Sequence, residues 1–259
     1  MVCKLCGGKD PLQKSHIIPK SYLRGLKQGN GQLVSIVCDD ESPPKKVNSD
    51  PKEKLLCRNC EQFISDNYEK YGTRLFKSSQ GVKKARRYVE LNGFKYTEYY
   101  LFLISILWRA SVSTLTTFSN IELTERVEDA LASCIRNKSI KINTSLKLDH
   151  FVRISVLRVI DTKCGVDDDV IQSAFLHLGV EAGKTPKEGL IYYFMINGFL
   201  ICYHFGTETD LHTIRTKRLA GQLLNRSQIR IPKVEISDLK QVHDAFDNAY
   251  NKSKSHAIK

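Results

Sequence analysis

Three short stretches decide the fold of the N-terminal part: CKLC at residues 3–6, SHIIP at residues 15–19 and LLCRNCE at residues 55–61. Both Cys-x-x-Cys pairs lie among polar, turn-forming residues, and the opening sequence MVCKLCGGKD has no apolar signal segment. In a reducing compartment such pairs bind zinc far more often than they form disulfides. We therefore expect a cytoplasmic protein with one zinc ion bound by Cys3, Cys6, Cys57 and Cys60.

A zinc ion with four thiolate ligands has no open coordination position, so its role here is structural. It would join residues 1–7 to residues 57–72, a region with too little apolar content to fold alone. Between them, residues 25–51 are polar and rich in turn-forming residues, which indicates a long loop with one strand at Leu33–Cys38. A helix is predicted from Cys57 to Tyr71, with Gly72 at its end.

The order of these motifs resembles that of the HNH endonucleases, which have a ββα-metal fold and in some members the same two zinc-binding pairs. The resemblance covers residues 1–72. It implies a metal-dependent phosphodiester hydrolase in which His16 is the general base that draws a proton from the attacking water. A histidine suits that role because its pKa lies near neutrality.

Three positions depart from the family pattern. Ser15 stands where the family usually has an Asp or His metal ligand, and Lys52 stands at the usual central asparagine unless Asn48 takes its place. Glu61 replaces the last histidine, directly after the fourth cysteine. A glutamate can bind Mg²⁺ or Mn²⁺ through hard oxygens, so Glu61 is the predicted ligand of a catalytic metal ion.

Glu69 is the second acidic candidate. Glu61, Ser65 and Glu69 recur every four residues and would line one face of an α-helix. Glu69 is therefore predicted either as a second catalytic ligand or as a residue that fixes a neighbour. The alternative is that it belongs to a solvated face.

The net charge of +12 is concentrated near this module, because residues 1–100 hold 19 Lys and Arg against 11 Asp and Glu. Such a surplus favours a nucleic-acid partner, with DNA favoured over RNA. A basic cluster lies at Lys83, Lys84, Arg86 and Arg87, and the neighbouring Tyr88 could stack on a base. The alternative to a nucleic-acid-binding role for this cluster is a solvated basic linker. The spacing of the basic residues, here and in the basic segment Thr213–Lys233, does not predict recognition of a specific base sequence. The predicted nucleic-acid contacts are Lys20, Arg24, Lys83, Lys84, Arg86 and Arg87.

The whole chain is predicted to be α+β: a zinc-bound ββα-metal module at residues 1–80, then a helical and antiparallel-sheet domain at residues 95–259. The apolar run Tyr99–Ala110 is too short to span a bilayer. It is predicted to be buried, with Arg109 either paired with a buried carboxylate or at the helix surface. The predicted helices are 96–118, 122–136, Thr216–Leu224 and Ser237–Tyr250, and the predicted strands are Arg87–Leu91, Phe151–Ile160, Gln172–Val180, Leu190–Ile196 and Phe199–Phe205.

The sequence is compatible with three functions. The first is a metal-dependent endonuclease, by analogy a bacterial effector of phage defence. The second is a catalytically inactive, zinc-stabilised nucleic-acid-binding module. The third is a protein-interaction adaptor that acts through residues 95–259, which could also form a homo-oligomer or bind a regulatory partner. Salt-dependent affinity for nucleic acid separates the first two from the third, and divalent-dependent cleavage separates the first from the second.

Overall fold

The computed structural model describes residues 2–26, 33–36, 45–47, 51–75, 81–163, 165–182, 189–206 and 219–257. Their fold is α+β, as the sequence predicts, with one two-stranded sheet and one nine-stranded sheet. None of the helices in these segments has both the length and the apolar character needed to cross a bilayer.

The N-terminal module is a β-hairpin followed at once by a helix. The two strands, β1 and β4, pair antiparallel from Leu12↔Cys57 to His16↔Lys52, with an irregularity between Gln13 and Lys14. The elements are β1 (Leu12–His16), α1 (Lys20–Leu23), β2 (Leu33–Ile36), β3 (Lys45–Val47), β4 (Lys52–Cys57), α2 (Arg58–Ile64), a π-helical turn (Ser65–Glu69) and α3 (Lys70–Gly72).

The predicted helix from Cys57 to Tyr71 is thus present, but it contains a π-helical turn. Gly72 ends it, and a Cβ at Gly72 would lie only 2.3 Å from the ring of Phe102. The glycine therefore also permits close packing of this helix on the next one. Local sequence does not predict strand β4, because three of its first residues are charged or polar and its apolar run is only Leu55–Leu56.

Helix α4 (Tyr96–Ser111) lies at the centre of the molecule. Every side chain from Tyr99 to Ala110 is buried, as the sequence predicts, so the helix is covered on all sides. On one side the ring of Phe102 contacts Tyr22 at 5.5 Å. On another side the Tyr203 hydroxyl donates to the Leu103 carbonyl at 2.8 Å. The helix therefore packs against both the N-terminal module and the large sheet.

The large sheet is mixed, with strand order β3-β2-β8-β9-β10-β7-β11-β6-β5. Most neighbours are antiparallel, while β2–β8 and β11–β7 are parallel. The remaining elements are β5 (Val82–Lys84), β6 (Tyr88–Asn92), α5 (Glu125–Arg136), β7 (Val152–Ile160), α6 (Asp168–Ser173), β8 (Ala174–Ala182), β9 (Leu190–Ile196), β10 (Phe199–Phe205), β11 (Gln228–Glu235) and the C-terminal helix (Lys240–Ala257).

The predicted strands Leu190–Ile196 and Phe199–Phe205 are confirmed as β9 and β10, and they pair as a hairpin. Asn197 and Gly198 have φ angles of 53° and 71°, the left-handed conformation that a two-residue hairpin turn requires. The predicted strand Gln172–Val180 begins later, because α6 occupies its first two residues.

The helix predicted at Thr216–Leu224 is wrong for residues 219–224, and its first three residues lie outside the described chain. Here the backbone turns at Gly221, whose φ is +66°, and bonds to β7. A side chain at Gly221 would collide with the Val156 carbonyl, so the glycine permits this close approach.

The buried apolar side chains of the N-terminal module and of the later elements form one continuous cluster, from Cys3 to Ile231. A smaller cluster lies on the other side of the sheet, under the C-terminal helix. The division into residues 1–80 and 95–259 stays a prediction, and the two segments share a core.

Candidate functional site

The four predicted zinc ligands come together. The sulfur atoms of Cys3, Cys6, Cys57 and Cys60 all lie within 4.8 Å of one another. The distance between the Cys6 and Cys57 sulfurs is 3.9 Å. A tetrahedral zinc ion with Zn–S bonds of about 2.3 Å requires S···S separations of ~3.8 Å. The cluster therefore has the donor set and the spacing to hold a metal ion such as zinc.

Backbone amides surround this cluster and favour negative charge on its sulfurs. The Cys57 amide donates to Cys3 Sγ at 3.3 Å, and the Gly8 amide donates to Cys6 Sγ at 3.4 Å. Burial opposes ionisation of the Cys3 thiol, but amide hydrogen bonds outweigh it and lower its pKa to about 7. Burial raises the pKa of Cys60, and so do the neighbouring sulfurs. A cation would allow all four thiolates to form together.

Local secondary structure positions the ligands. Strand β4 ends at Cys57 and α2 begins at the next residue, which puts Cys60 in the first helical turn. The first pair forms a tight turn in which the Cys3 amide donates to the Gly8 carbonyl at 2.8 Å. The amide of Lys4 donates to the Leu55 carbonyl at 2.9 Å, so this turn is bonded directly to β4.

The hairpin presents a basic face around His16. Cross-strand partners share a face, and the register pairs His16 with Lys52 and Lys14 with Lys54. All three lysines are exposed, whereas His16 is half-buried. Two like charges directly opposite each other destabilise a sheet unless an anion lies between or above them. This hairpin face consists of Lys14, His16, Lys52 and Lys54. Its positive charge therefore favours contact with phosphates.

Ser15 lies on the opposite face and cannot replace the usual metal ligand. Its side chain is fully buried, and its hydroxyl accepts a hydrogen bond from the Leu56 amide at 3.2 Å. The hydroxyl thus stabilises the hairpin.

Glu61 is half-buried in the first turn of α2, next to the last cysteine. Its Oε1 atom is buried and has no hydrogen-bond partner among the described residues. Buried carboxylate oxygens in proteins almost always have a partner, so this oxygen has the capacity to bind a further group. A hard cation is the partner that the sequence predicts for it.

Glu69 has a different environment. Its Oε1 pairs with Arg109 Nη2 at 2.9 Å, and the Arg109 side chain is only 1% exposed. The same guanidinium donates to the His16 carbonyl at 2.8 Å and to the Ser105 carbonyl at 3.1 Å. Of the roles open to Glu69, this is the one in which it fixes a neighbour. Of the two alternatives for Arg109, pairing with a carboxylate is the one observed, and that carboxylate is part-buried.

Glu61 and Glu69 would share a face only if the helix between them were α-helical throughout. Residues 65–69 instead form a π-helical turn, in which hydrogen bonds close over five residues and the rotation per residue is smaller. The assignment of Glu69 as a metal ligand stays a prediction, and its ion pair with Arg109 weighs against it.

Glu53, which no sequence motif marks, joins the hairpin to the end of α4. Its carboxylate accepts hydrogen bonds from the Ser113 hydroxyl at 2.6 Å, the Thr114 amide at 2.9 Å and the Thr114 hydroxyl at 2.7 Å. Burial opposes its ionisation, but these bonds outweigh it and lower the pKa of Glu53. Local spacing gives no signal for this role, since its partners lie sixty residues away.

The other predicted nucleic-acid contacts lie on two separate elements. Lys20 begins α1 and Arg24 follows it, and both are exposed. The second group lies at and just after β5, an edge strand of the large sheet. The ring of Tyr88 has the guanidinium of Arg230 over it at 4.7 Å, so one of its faces is already covered. The exposed residues of this second group are Lys83, Lys84, Arg86 and Arg87.

Comparison with known proteins finds no match to a family model, to a curated protein or to a solved structure. The structure of this chain alone supports the cysteine cluster and the α+β fold. Membership of the HNH endonucleases stays a prediction from the motifs.

Proposed function

We propose that the protein is a metal-dependent endonuclease. The observation that carries the proposal is the buried Glu61 oxygen without a described partner, in a helix that begins at a cysteine cluster and packs on the hairpin that bears His16. These are the parts that metal-dependent hydrolysis of a phosphodiester uses: a histidine as general base, a hard-oxygen ligand for the metal ion and a basic surface for the phosphates.

In this proposal His16 takes a proton from the water that attacks the phosphorus. Glu61 would hold one Mg²⁺ or Mn²⁺, together with oxygens of the substrate phosphate, and such an ion neutralises charge on the phosphate when it is bound. Arg109 positions His16 by holding its carbonyl, and Glu69 holds Arg109. The cysteine-bound metal has a structural role only.

The test is cleavage of plasmid, single-stranded DNA and RNA by zinc-loaded protein as Mg²⁺ or Mn²⁺ is added. Addition is preferable to chelation, because a chelator would also remove zinc. We expect His16→Ala and Glu61→Gln to reduce cleavage at least a hundredfold while one zinc per chain is retained. Matched controls are His243→Ala and Glu125→Gln, on helices outside the module. Cleavage by His16→Ala at the wild-type rate would refute the proposal.

A second candidate function is a nucleic-acid-binding module without catalysis. Two observations favour it. Ser15 is buried and bonded to the hairpin backbone, and Glu69 is paired with Arg109. Of Ser15, Glu61 and Glu69, only Glu61 is then left to bind a catalytic metal ion. This candidate predicts binding by the hairpin face without cleavage under any divalent ion. Replacing Lys14, Lys52 and Lys54 by alanine would then reduce the slope of log affinity against log salt by roughly 0.7–0.9 for each phosphate that is no longer neutralised. An unchanged slope would exclude this face.

A further inference from the structure

A polar cavity lies at the end of α4 that is remote from His16. It has a volume of about 220 Å³ and is enclosed by the start of α4, the start of β7 and residues 222–226. A second cavity of about 410 Å³ shares Gln222, Leu224 and Arg226 with it. The two cavities are therefore adjacent, and the second alone lies within the size range of small-molecule sites, roughly 300–1,000 Å³.

The cavity is distinct from the proposed catalytic site. Tyr96 lines it, whereas Arg109, which contacts His16, lies thirteen residues further along the same helix. At 1.5 Å per residue the two ends are about 20 Å apart.

Backbone hydrogen bonds hold the walls in place. The Leu223 amide donates to the Ile154 carbonyl at 2.8 Å, and the Val156 amide donates to the Gly221 carbonyl at 3.0 Å. Asp149 and His150 belong to a short 3₁₀ turn whose first amide, that of Leu148, donates to the Ile140 carbonyl at 2.7 Å. Backbone hydrogen bonds thus fix the walls of the cavity to β7 on one side and to the segment after α5 on the other.

Two polar atoms at the cavity lack a described partner. The carboxylate of Asp149 accepts the Tyr96 hydroxyl at 2.7 Å through Oδ2, but its Oδ1 is buried and unsatisfied among the described residues. The same is true of His150 Nδ1. Buried polar atoms are nearly always hydrogen-bonded, so two neighbouring exceptions in one cavity indicate a group that binds there.

The remaining charged lining is cationic, and neutral polar residues such as Gln222 and Asn225 lie beside it. Arg153 and Arg226 line the first cavity, and Arg226 and Arg230 line the second. Within the described part of the chain, Asp149 is the one acidic residue that lines either cavity. The pair of cavities therefore offers guanidinium groups for an anion beside an acceptor for an N–H donor, with Leu223 and Leu224 as apolar surface.

We propose that this pair of cavities binds a nucleotide. Arg153 and Arg226 contact its phosphate, since guanidinium groups match phosphate oxygens in geometry and charge. An amino group or ring N–H of the base donates to Asp149 Oδ1, and the leucines contact the base. The proposal goes beyond the nuclease function and does not depend on it, because binding is measured without cleavage.

The test is isothermal titration calorimetry of the full-length, zinc-loaded protein with AMP, GMP, CMP and UMP, and with adenosine and inorganic phosphate. We expect at least one nucleotide to bind at least tenfold more tightly than phosphate or adenosine. Arg226→Ala and Asp149→Asn should each weaken that nucleotide at least tenfold, with near-ultraviolet circular dichroism unchanged. The control Arg126→Ala replaces an exposed arginine on α5 that lines neither cavity, and this variant should bind the nucleotide as the wild type does.

Three outcomes would overturn the proposal. Equal affinity for phosphate and nucleotide would indicate an anion site only. Binding that survives both Arg226→Ala and Asp149→Asn would place the nucleotide elsewhere. The absence of heat from every probe at millimolar concentration would indicate that water satisfies Asp149 and His150.

Discussion

Arg109 links three elements through one buried guanidinium: its own helix, the strand that ends at His16 and the helix that carries Glu69. Removing one partner of a buried ion pair leaves the other charge without compensation. We expect Arg109→Met to lower the free energy of unfolding by about 3 kcal/mol, measured by urea denaturation.

A matched control for this variant is Lys70→Ala. Lys70 pairs with Asp66 on the same helical segment, but both side chains are about half exposed. Exposed pairs of this kind contribute little to stability, so we expect Lys70→Ala to leave the free energy of unfolding almost unchanged. Equal effects of the two substitutions would show that the Arg109 network has no special role in stability.

Glu53 makes stability depend on pH. Its folded-state pKa is lowered, so its contribution is present above the unfolded value of about 4.3 and is lost as pH falls through the folded pKa. We expect Glu53→Gln to melt at a lower temperature than the wild type at pH 7. The difference should shrink below pH 4. A difference that stays constant between pH 7 and pH 3 would contradict the assignment.

For single residues, the sequence predicts those roles that local spacing determines. The cysteine pairs are recognisable because a tight turn brings two sulfurs to one metal ion, which is a local property. The pairing of Glu69 with Arg109 depends on α4, which lies further along the chain, and the burial of Ser15 depends on tertiary packing. No spacing within the module encodes them.

Among the elements, strand β4 and helix α2 carry two of the four clustered cysteines, Cys57 and Cys60, so a metal ion bound there would stabilise the hairpin and the helix. Zinc at a thousandfold excess over its Kd would stabilise the folded state by about 4 kcal/mol. We therefore expect one zinc per chain, and a lower melting temperature after chelation or in Cys57→Ser.

Cys134→Ala is the control for this experiment. Cys134 is buried in α5, where burial raises the pKa of its thiol to about 11, and it lies outside the cysteine cluster. Its replacement should leave the zinc content unchanged. A chain that stays free of metal when zinc is supplied would refute the structural zinc site.

Strand β11 is a central strand that the sequence does not predict, because it contains a proline. Its sequence QIRIPKVE contains Pro232, which normally indicates an edge strand. In the structure, residues up to Pro232 pair with β6, and residues from Lys233 onward pair with β7. The proline lies where the strand changes partner, so its missing N–H removes no central ladder bond. The β9–β10 hairpin is predictable because its turn chemistry is local.

For the whole molecule, the shared core predicts a single unfolding unit. Tyr22 packs on Phe102, the Tyr68 hydroxyl donates to the Ile135 carbonyl, and Arg136 donates to the Leu5 carbonyl. The module is thus joined to both α4 and α5, and we expect one calorimetric transition for the full chain. A fragment of residues 1–95 should bind zinc but unfold without cooperativity, because it lacks α4. A sharp transition in that fragment at the melting temperature of the full chain would support two independent domains.

The α+β class follows from the change of periodicity along the chain, but the strand order does not. Parallel pairing of β2 with β8 joins Val34 to Ala174, and β11 enters between β7 and β6. Such pairings are decided by the packing of whole elements, which short-range patterns do not record.

The β2–β8 pairing also has a consequence for synthesis on the ribosome. Val34 leaves the ribosome 140 residues before Ala174, its partner in the sheet. At elongation rates of about 5–20 residues per second, this delay is roughly 7–30 s. During that interval the cysteine cluster can already close, while β2 has no partner on that side. The nascent chain thus exposes an unpaired strand edge for most of its translation, and this is the period in which a chaperone or a second nascent chain could bind it.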